Sequence, residues 1–330
     1  MKKVLLILLL FPIATFAQMP KAEFESAVAI LFGNDHQKAI ATLENAQKKY
    51  PNTYTTYYMQ AIMQYRDGDN NGAMMSQSNA IKANPKFAEG YDARAQLFEA
   101  KGMYEKAIAD ETRAIEINPL NPSYITNRIR YYFLNKQFKE ALEDTKTRIK
   151  LDPTEYYAYY DAADFSKKID PNADVDIYFK QLYAAKGIEK YRADLVHGRF
   201  MLYQSKFEEG RQKYEAAAAV AEQEFNAEDF HCFAITCYKT KIYDKAIVYY
   251  NKAINMAPQN VDYLNNLSAV YDTQLDMEML KKNAQRTLDV DPNDGLANRY
   301  MAIGLANSGQ LTLAKEYNDK ANSIYEEQKK

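Results

Sequence analysis

The chain has 330 residues, of which 47% are hydrophobic and 26% charged, with 28 tyrosines and no tryptophan. Apolar content at that level excludes a disordered chain and is ample for a core. Forty-two basic residues against 44 acidic ones leave a formal charge of −2, so no global positive field recruits nucleic acid or an acidic membrane surface.

The N-terminal stretch 1–17 is set apart from the rest. Lys2 and Lys3 precede an apolar run from Val4 to Ile13, and Ala14-Thr15-Phe16-Ala17 follows as a small-residue exit. That layout predicts a secretory signal peptide over 1–17, cleaved after Ala17. The run of about 10–14 residues is shorter than the ~20 that span a bilayer, and no later stretch reaches that length. No cysteine stands just after it, which excludes lipoprotein anchoring. The expected product is exported, periplasmic and soluble, with no membrane insertion after cleavage. Cys232 and Cys237 are the only cysteines. On one helix their Cα atoms would lie roughly 8.6 Å apart, beyond the ~7 Å reach of a disulfide, so both are expected as packed thiols.

From residue 20 onward the prolines set the organisation. Pro51, Pro85, Pro119 and Pro153 recur with a constant period of about 34 residues, and Pro258 and Pro292 keep the same interval. Each ends a helical-looking run such as "AIKANP" or "AIEINP", and proline cannot continue a helix. Aligned on these stops, a small residue recurs in the first helix: Ala27, Ala61, Ala95, Ala163, Gly198, Ala234, Ser268 and Ala302. Twelve residues later comes alanine, at Ala39, Ala73, Ala107, Ala141, Ala246 and Ala314. Small side chains at two fixed places let paired helices approach closely. Turns rich in Gly or Asn separate them, as in "RDGDNNGA" and "ANSGQLTLA".

The period and the segments "YDARAQLFEAKGMYEKAIADETRAIEINP" and "FHCFAITCYKTKIYDKAIVYYNKAINMAP" closely resemble the tetratricopeptide-repeat (TPR) family. The resemblance places helix-turn-helix repeats at 20–53, 54–87, 88–121, 122–155, 156–190, 191–226, 227–260, 261–294 and 295–330, as one array over 18–330. At 156–226 Gly187 and Glu222 replace the proline and small insertions occur, so irregular packing is expected there. The implied fold is all-α: a right-handed superhelical solenoid of about nine repeats, with a concave face lined by the first helix of each pair.

No chemistry is evident. The 11 glycines are scattered, which excludes a phosphate loop or dinucleotide fingerprint. His231-Cys232 with Cys237 comes nearest to a metal site, but Cys237 would point about 140° away from Cys232. His36 reads as a turn residue and His197 as one packed between helices, so no nucleophile-base-acid trio forms. Asp110-Glu111 and Glu208-Glu209 read as solvated helix faces. We therefore expect no enzyme, no cofactor, no metal and no disulfide.

Tyrosine is the compositional outlier. Tyr57, Tyr91, Tyr132, Tyr159, Tyr214, Tyr250 and Tyr271 fall where the family places core residues. Other positions match the family's groove: Tyr58, Tyr65, Arg66, Asn127, Arg130, Phe133, Tyr157, Tyr160, Asp161, Asp164, Arg192, Arg199, Tyr203, His231, Tyr238, Asn265, Asn266, Arg299 and Tyr300. Tyrosine and arginine anchor interfaces, and asparagine can pair with an extended peptide backbone. The lysine and asparagine set with which some members clamp a chaperone's C-terminal carboxylate is not matched in any three consecutive repeats. The expected partner is another envelope protein, presenting a peptide or helix, with glycan binding by exposed tyrosines as the alternative. The sequence leaves the oligomeric state open.

Overall fold

A computed structural model describes residues 18–329; the expected signal peptide lies outside the described residues. All regular structure among them is helical. The helices run in order: α1 (Lys21–Phe32), α2 (His36–Lys49), α3 (Tyr54–Arg66), α4 (Asn70–Ala83), α5 (Ala88–Glu99), α6 (Tyr104–Ile117), α7 (Pro122–Leu134), α8 (Phe138–Leu151) and α9 (Tyr156–Ile169). They continue as α10 (Asp176–Ala184), α11 (Lys190–Tyr203), α12 (Phe207–Ala221), α13 (Ala227–Lys239), α14 (Tyr243–Met256), α15 (Val261–Thr273), α16 (Met277–Val290), α17 (Gly295–Asn307) and α18 (Leu311–Glu327). None is long and apolar enough to cross a membrane.

The stops and starts have local causes. Each periodic proline sits two residues past the end of a helix: Pro51 after α2, Pro85 after α4, Pro119 after α6, Pro153 after α8, Pro258 after α14 and Pro292 after α16. Asp35, Thr53, Asp69, Asn121, Asn226, Asn260, Asp276 and Asp294 cap the N-termini that follow them with side-chain oxygens. His36 therefore opens α2 and is not a turn residue. Within several pairs the turn closes through one left-handed residue, at Gly68 (φ 81°), Gly102 (68°) and Lys136 (59°).

The chain divides into two compact units, one running to Asp152 and including Phe165–Ala173, the other formed by Pro153–Asp164 and the residues from Asp174 on. In the first, α1 to α8 pack each against the next. In the second, α10 to α18 do the same, and α11, α13, α15 and α17 also touch successively along one side. The two small-residue series occupy the helix crossings: Ala39, Ala73, Ala95, Ala107, Ala141, Ala163, Ala234, Ala246 and Ser268 are all fully buried. Between them Tyr214, Tyr250 and Phe233 fill the second unit's core, with Tyr214 stacked on Phe233 at 5.4 Å.

Two of the expected core tyrosines are only half-buried. Tyr57 reaches Asn52 Oδ1 at 3.0 Å, and Tyr132 lies under the Arg128 guanidinium. Tyr131 takes the interior place instead of Tyr132, because neighbouring helical positions point roughly 100° apart.

Where the alanine series breaks, two glycines meet. Gly198 of α11 and Gly210 of α12 are twelve residues apart, and a Cβ on Gly198 would lie 3.1 Å from the Tyr214 ring and 3.2 Å from the Gly210 carbonyl oxygen. Tyr214 is fully buried and cannot retreat. Gly198→Val is expected to destabilise the second unit by about 2–3 kcal/mol, read from urea denaturation and amide exchange in α11 and α12. A loss below ~0.5 kcal/mol would mean the crossing has slack.

Candidate partner-binding surface

In the first unit, α1, α3 and α5 enclose a pocket of about 230 Å³, lined by Phe32, Tyr58, Tyr65, Arg66, Asp92 and Gln96 among others. Phe32 and Tyr65 are 66% and 58% exposed at its rim. Tyr58 forms the wall, edge-on to Phe24 at 5.8 Å and Phe87 at 5.2 Å. Burial, reinforced by the carboxylates of Asp92 and Glu89, pushes its hydroxyl pKa up to about 12. An apolar wall with Arg66 and Asp92 beside it suits an amphipathic side chain.

Beside the pocket the polar residues hold one another. Asn127 Nδ2 donates to Asp92 Oδ1 at 2.9 Å, and Arg130 Nη2 donates to Glu99 Oε2 at 2.8 Å. Phe133, 41% exposed, packs against Phe138 and Phe165 at 6.1 and 6.0 Å.

The second unit carries its own group. Tyr160 is edge-on to Phe200 at 5.8 Å and to Tyr203 at 6.5 Å, and Tyr203 is 62% exposed. The Arg199 guanidinium lies 5.5 Å from the centre of the Tyr157 ring and donates to Asp229 Oδ1 at 3.2 Å. Asp161, half-buried in the same stretch, is pushed up to about 7 by burial and by the charges of Asp164 and Glu155. Further along, the Tyr238 hydroxyl meets Thr273 Oγ1 at 3.0 Å, and Asn266 Nδ2 meets His231 Nε2 at 2.9 Å.

The expected groove residues thus divide. The stretch 127–203 is shared between the two units, with Asn127, Arg130 and Phe133 in the first and Tyr157, Tyr160, Asp164, Arg199 and Tyr203 in the second. Asn265 and Tyr300 are buried: Asn265 donates to Asp294 Oδ1 at 3.1 Å. Many of the rest tie successive first helices in one register. Arg66 to the Leu31 carbonyl, Asn127 to Asp92, Tyr238 to Thr273 and Asn266 to His231 each join residues 35 apart, as does Tyr263 to Glu228, a pair outside the expected set. Sequence reasoning missed the acidic halves, Asp92, Glu99, Glu228 and Asp229. Asp92 stands one residue more than the repeat length before Asn127, the one signal in the sequence that marks it.

Asp110 and Glu111 are not solvated. Asp110 is 7% exposed and Glu111 fully buried. Asp110 accepts two hydrogen bonds from Arg94, at 2.7 and 2.8 Å. Glu208 and Glu209 are exposed as expected, with Glu208 paired to Arg211.

A family model described as a tetratricopeptide repeat matches residues 88–119 and 234–260. No curated protein matches the sequence. Among solved structures, the chain is similar to one in the crystal structure of the APC/C hetero-tetramer Cut9-Hcn1, with TM-score 0.50 and 13% identity over 86% of this chain. It spans 55% of that protein's length. It is also similar to a tetratricopeptide repeat protein from Parabacteroides merdae ATCC 43184, with TM-score 0.54 and 14% identity, covering 76% of this chain and 98% of that one. At these identities the likeness is one of fold. The described residues are all-helical and pack as successive helix pairs, and on the two matched segments the chain carries tetratricopeptide repeats.

Proposed function

We propose that the protein is a non-catalytic scaffold of the bacterial cell envelope that binds a peptide or helical segment of another envelope protein. Repeats of this kind are typical of protein–protein interaction scaffolds, and the segment 1–17 reads as an export signal. The observation that carries the reading is the pocket between α1, α3 and α5, where exposed Phe32 and Tyr65 flank an aromatic wall with cationic and acidic groups beside it. Exposed aromatics beside a pocket are the usual anchors of an interface. The glycan alternative has less support, since Tyr157 already carries Arg199 over its ring and Tyr160 packs against Phe200.

Cross-linking the native protein in its envelope, with mass spectrometry of attached peptides, tests this. Ala93→Leu fills the pocket and Tyr65→Ala removes its rim, and each is expected to weaken capture of the partner by about tenfold or more. A partner captured equally by wild type and both variants would place binding elsewhere.

A further inference from the structure

The helix α13 carries a cluster that partner binding does not require. Glu228, His231 and Cys232 stand at i, i+3 and i+4, which a helix brings to one side. One ligand atom from each lies within 4.8 Å of the others. Cys232 Sγ is 3.4 Å from Glu228 Oε1, and His231 Nδ1 is 3.6 Å from Glu228 Oε2. A tetrahedral zinc ion with bonds of about 2.0–2.3 Å holds its ligand atoms roughly 3.3–3.7 Å apart, so the sulfur and the imidazole nitrogen each stand about one coordination edge from the Glu228 carboxylate, the sulfur at one of its oxygens and the nitrogen at the other.

His231 Nδ1 is buried and has no hydrogen-bond partner, 3.6 Å being too long for one. The ring cannot turn away, because it packs on Tyr263 at 4.4 Å and its Nε2 meets Asn266. With the Asn266 amide flipped, its oxygen would accept the Nε2 proton and leave Nδ1 free as a ligand. The Tyr263 hydroxyl donates to Glu228 Oε2 at 3.0 Å. An amide behind the histidine and a phenol behind the carboxylate are the outer contacts that orient metal ligands.

We propose that Glu228, His231 and Cys232 bind a zinc-type, thiolate-preferring divalent cation, with a fourth position open to water or to a partner's side chain. Cys237 takes no part, lying five positions on and outside the cluster. Cysteine ligates a metal as the thiolate, so loading breaks the S–H bond, forms the metal–sulfur bond and releases one proton to solvent. The repulsion of a cation by Arg199 is offset by its own partner, Asp229. Glu228 and Asp262 add negative charge around His231.

Titration of the purified chain with Co2+ tests the site through the near-ultraviolet thiolate-to-cobalt absorption, with circular dichroism verifying the fold of each variant. One equivalent is expected to develop the band in wild type and in Cys237→Ser, with release of one proton. Cys232→Ser is expected to abolish the band, and Glu228→Gln and Asn266→Ala to weaken binding by about tenfold or more. Wild type without a band, a band that survives Cys232→Ser, or a Glu228→Gln variant that binds like wild type would each overturn the proposal.

Discussion

Asp144→Ala is expected to destabilise the first unit by about 3–5 kcal/mol. Arg128 donates from Nε and Nη2 to the two oxygens of Asp144, both at 2.7 Å, and from Nη1 to Thr112 Oγ1 at 3.1 Å. Both side chains are largely buried, at 17% and 13% exposure, so removing the carboxylate strands a cation with little water to solvate it. The same bridge occurs one repeat earlier, from Arg94 to Asp110 and Ser78. Each ties one helix to its pair mate and to the preceding repeat. Urea denaturation of Asp144→Ala and of Glu143→Ala, which removes the exposed partner of Lys146, gives the comparison. The exposed change is expected within about 0.5 kcal/mol of wild type. A joint Arg128→Met, Asp144→Leu variant is expected to recover most of the loss, because no uncompensated charge remains. Equal effects of Asp144→Ala and Glu143→Ala would show that the buried bridge is not special.

The second large effect is a pH dependence. Glu111 is fully buried, and no donor is hydrogen-bonded to either of its carboxylate oxygens. Burial and the Asp92 carboxylate push its pKa up to about 9, against the opposing charges of Arg128 and Arg130. The folded state therefore holds a proton that the unfolded chain releases near the ordinary value of 4.5. Since the folded state binds more protons in that window, stability is full below the unfolded pKa and falls as pH rises toward the folded one. Between about pH 5 and pH 9 the expected loss is on the order of 3–5 kcal/mol. Glu111→Gln keeps the shape, cannot ionise, and is expected to remove that slope and to be the more stable protein above about pH 8. His197 and His231, both held below their usual range by burial, act at the acidic end, and Asp161, pushed up to about 7, adds a loss of the same sign to both proteins, so it is the difference between wild type and variant that isolates Glu111. Parallel curves for the two proteins would show that Glu111 ionises without cost.

The pocket of the first unit was only partly legible. Tyr58 and Tyr65 were readable from repeat position, and both line the pocket. Phe32 was not, because it ends α1 outside the positions that the family pattern marks. Asn265 was expected in the groove and is buried, since a position in a repeat does not say whether the next helix covers it. Glu228 was not legible as a neighbour of His231 and Cys232, because adjacency in sequence points to Cys237 and the carboxylate lies one helical turn back.

The sequence by itself determined the helix pairs and their close crossings. A proline stop and two small residues are local or nearest-neighbour constraints, and they repeat with the chain's own period. Only the tertiary structure decided which polar groups are buried and which remain exposed. Asp110 and Glu111 look like any solvated acidic pair until α6 packs against α5 and α7. The free energy of a charge depends on what surrounds it in space, and Arg94, Arg128 and Asp92 are brought to that place by folding.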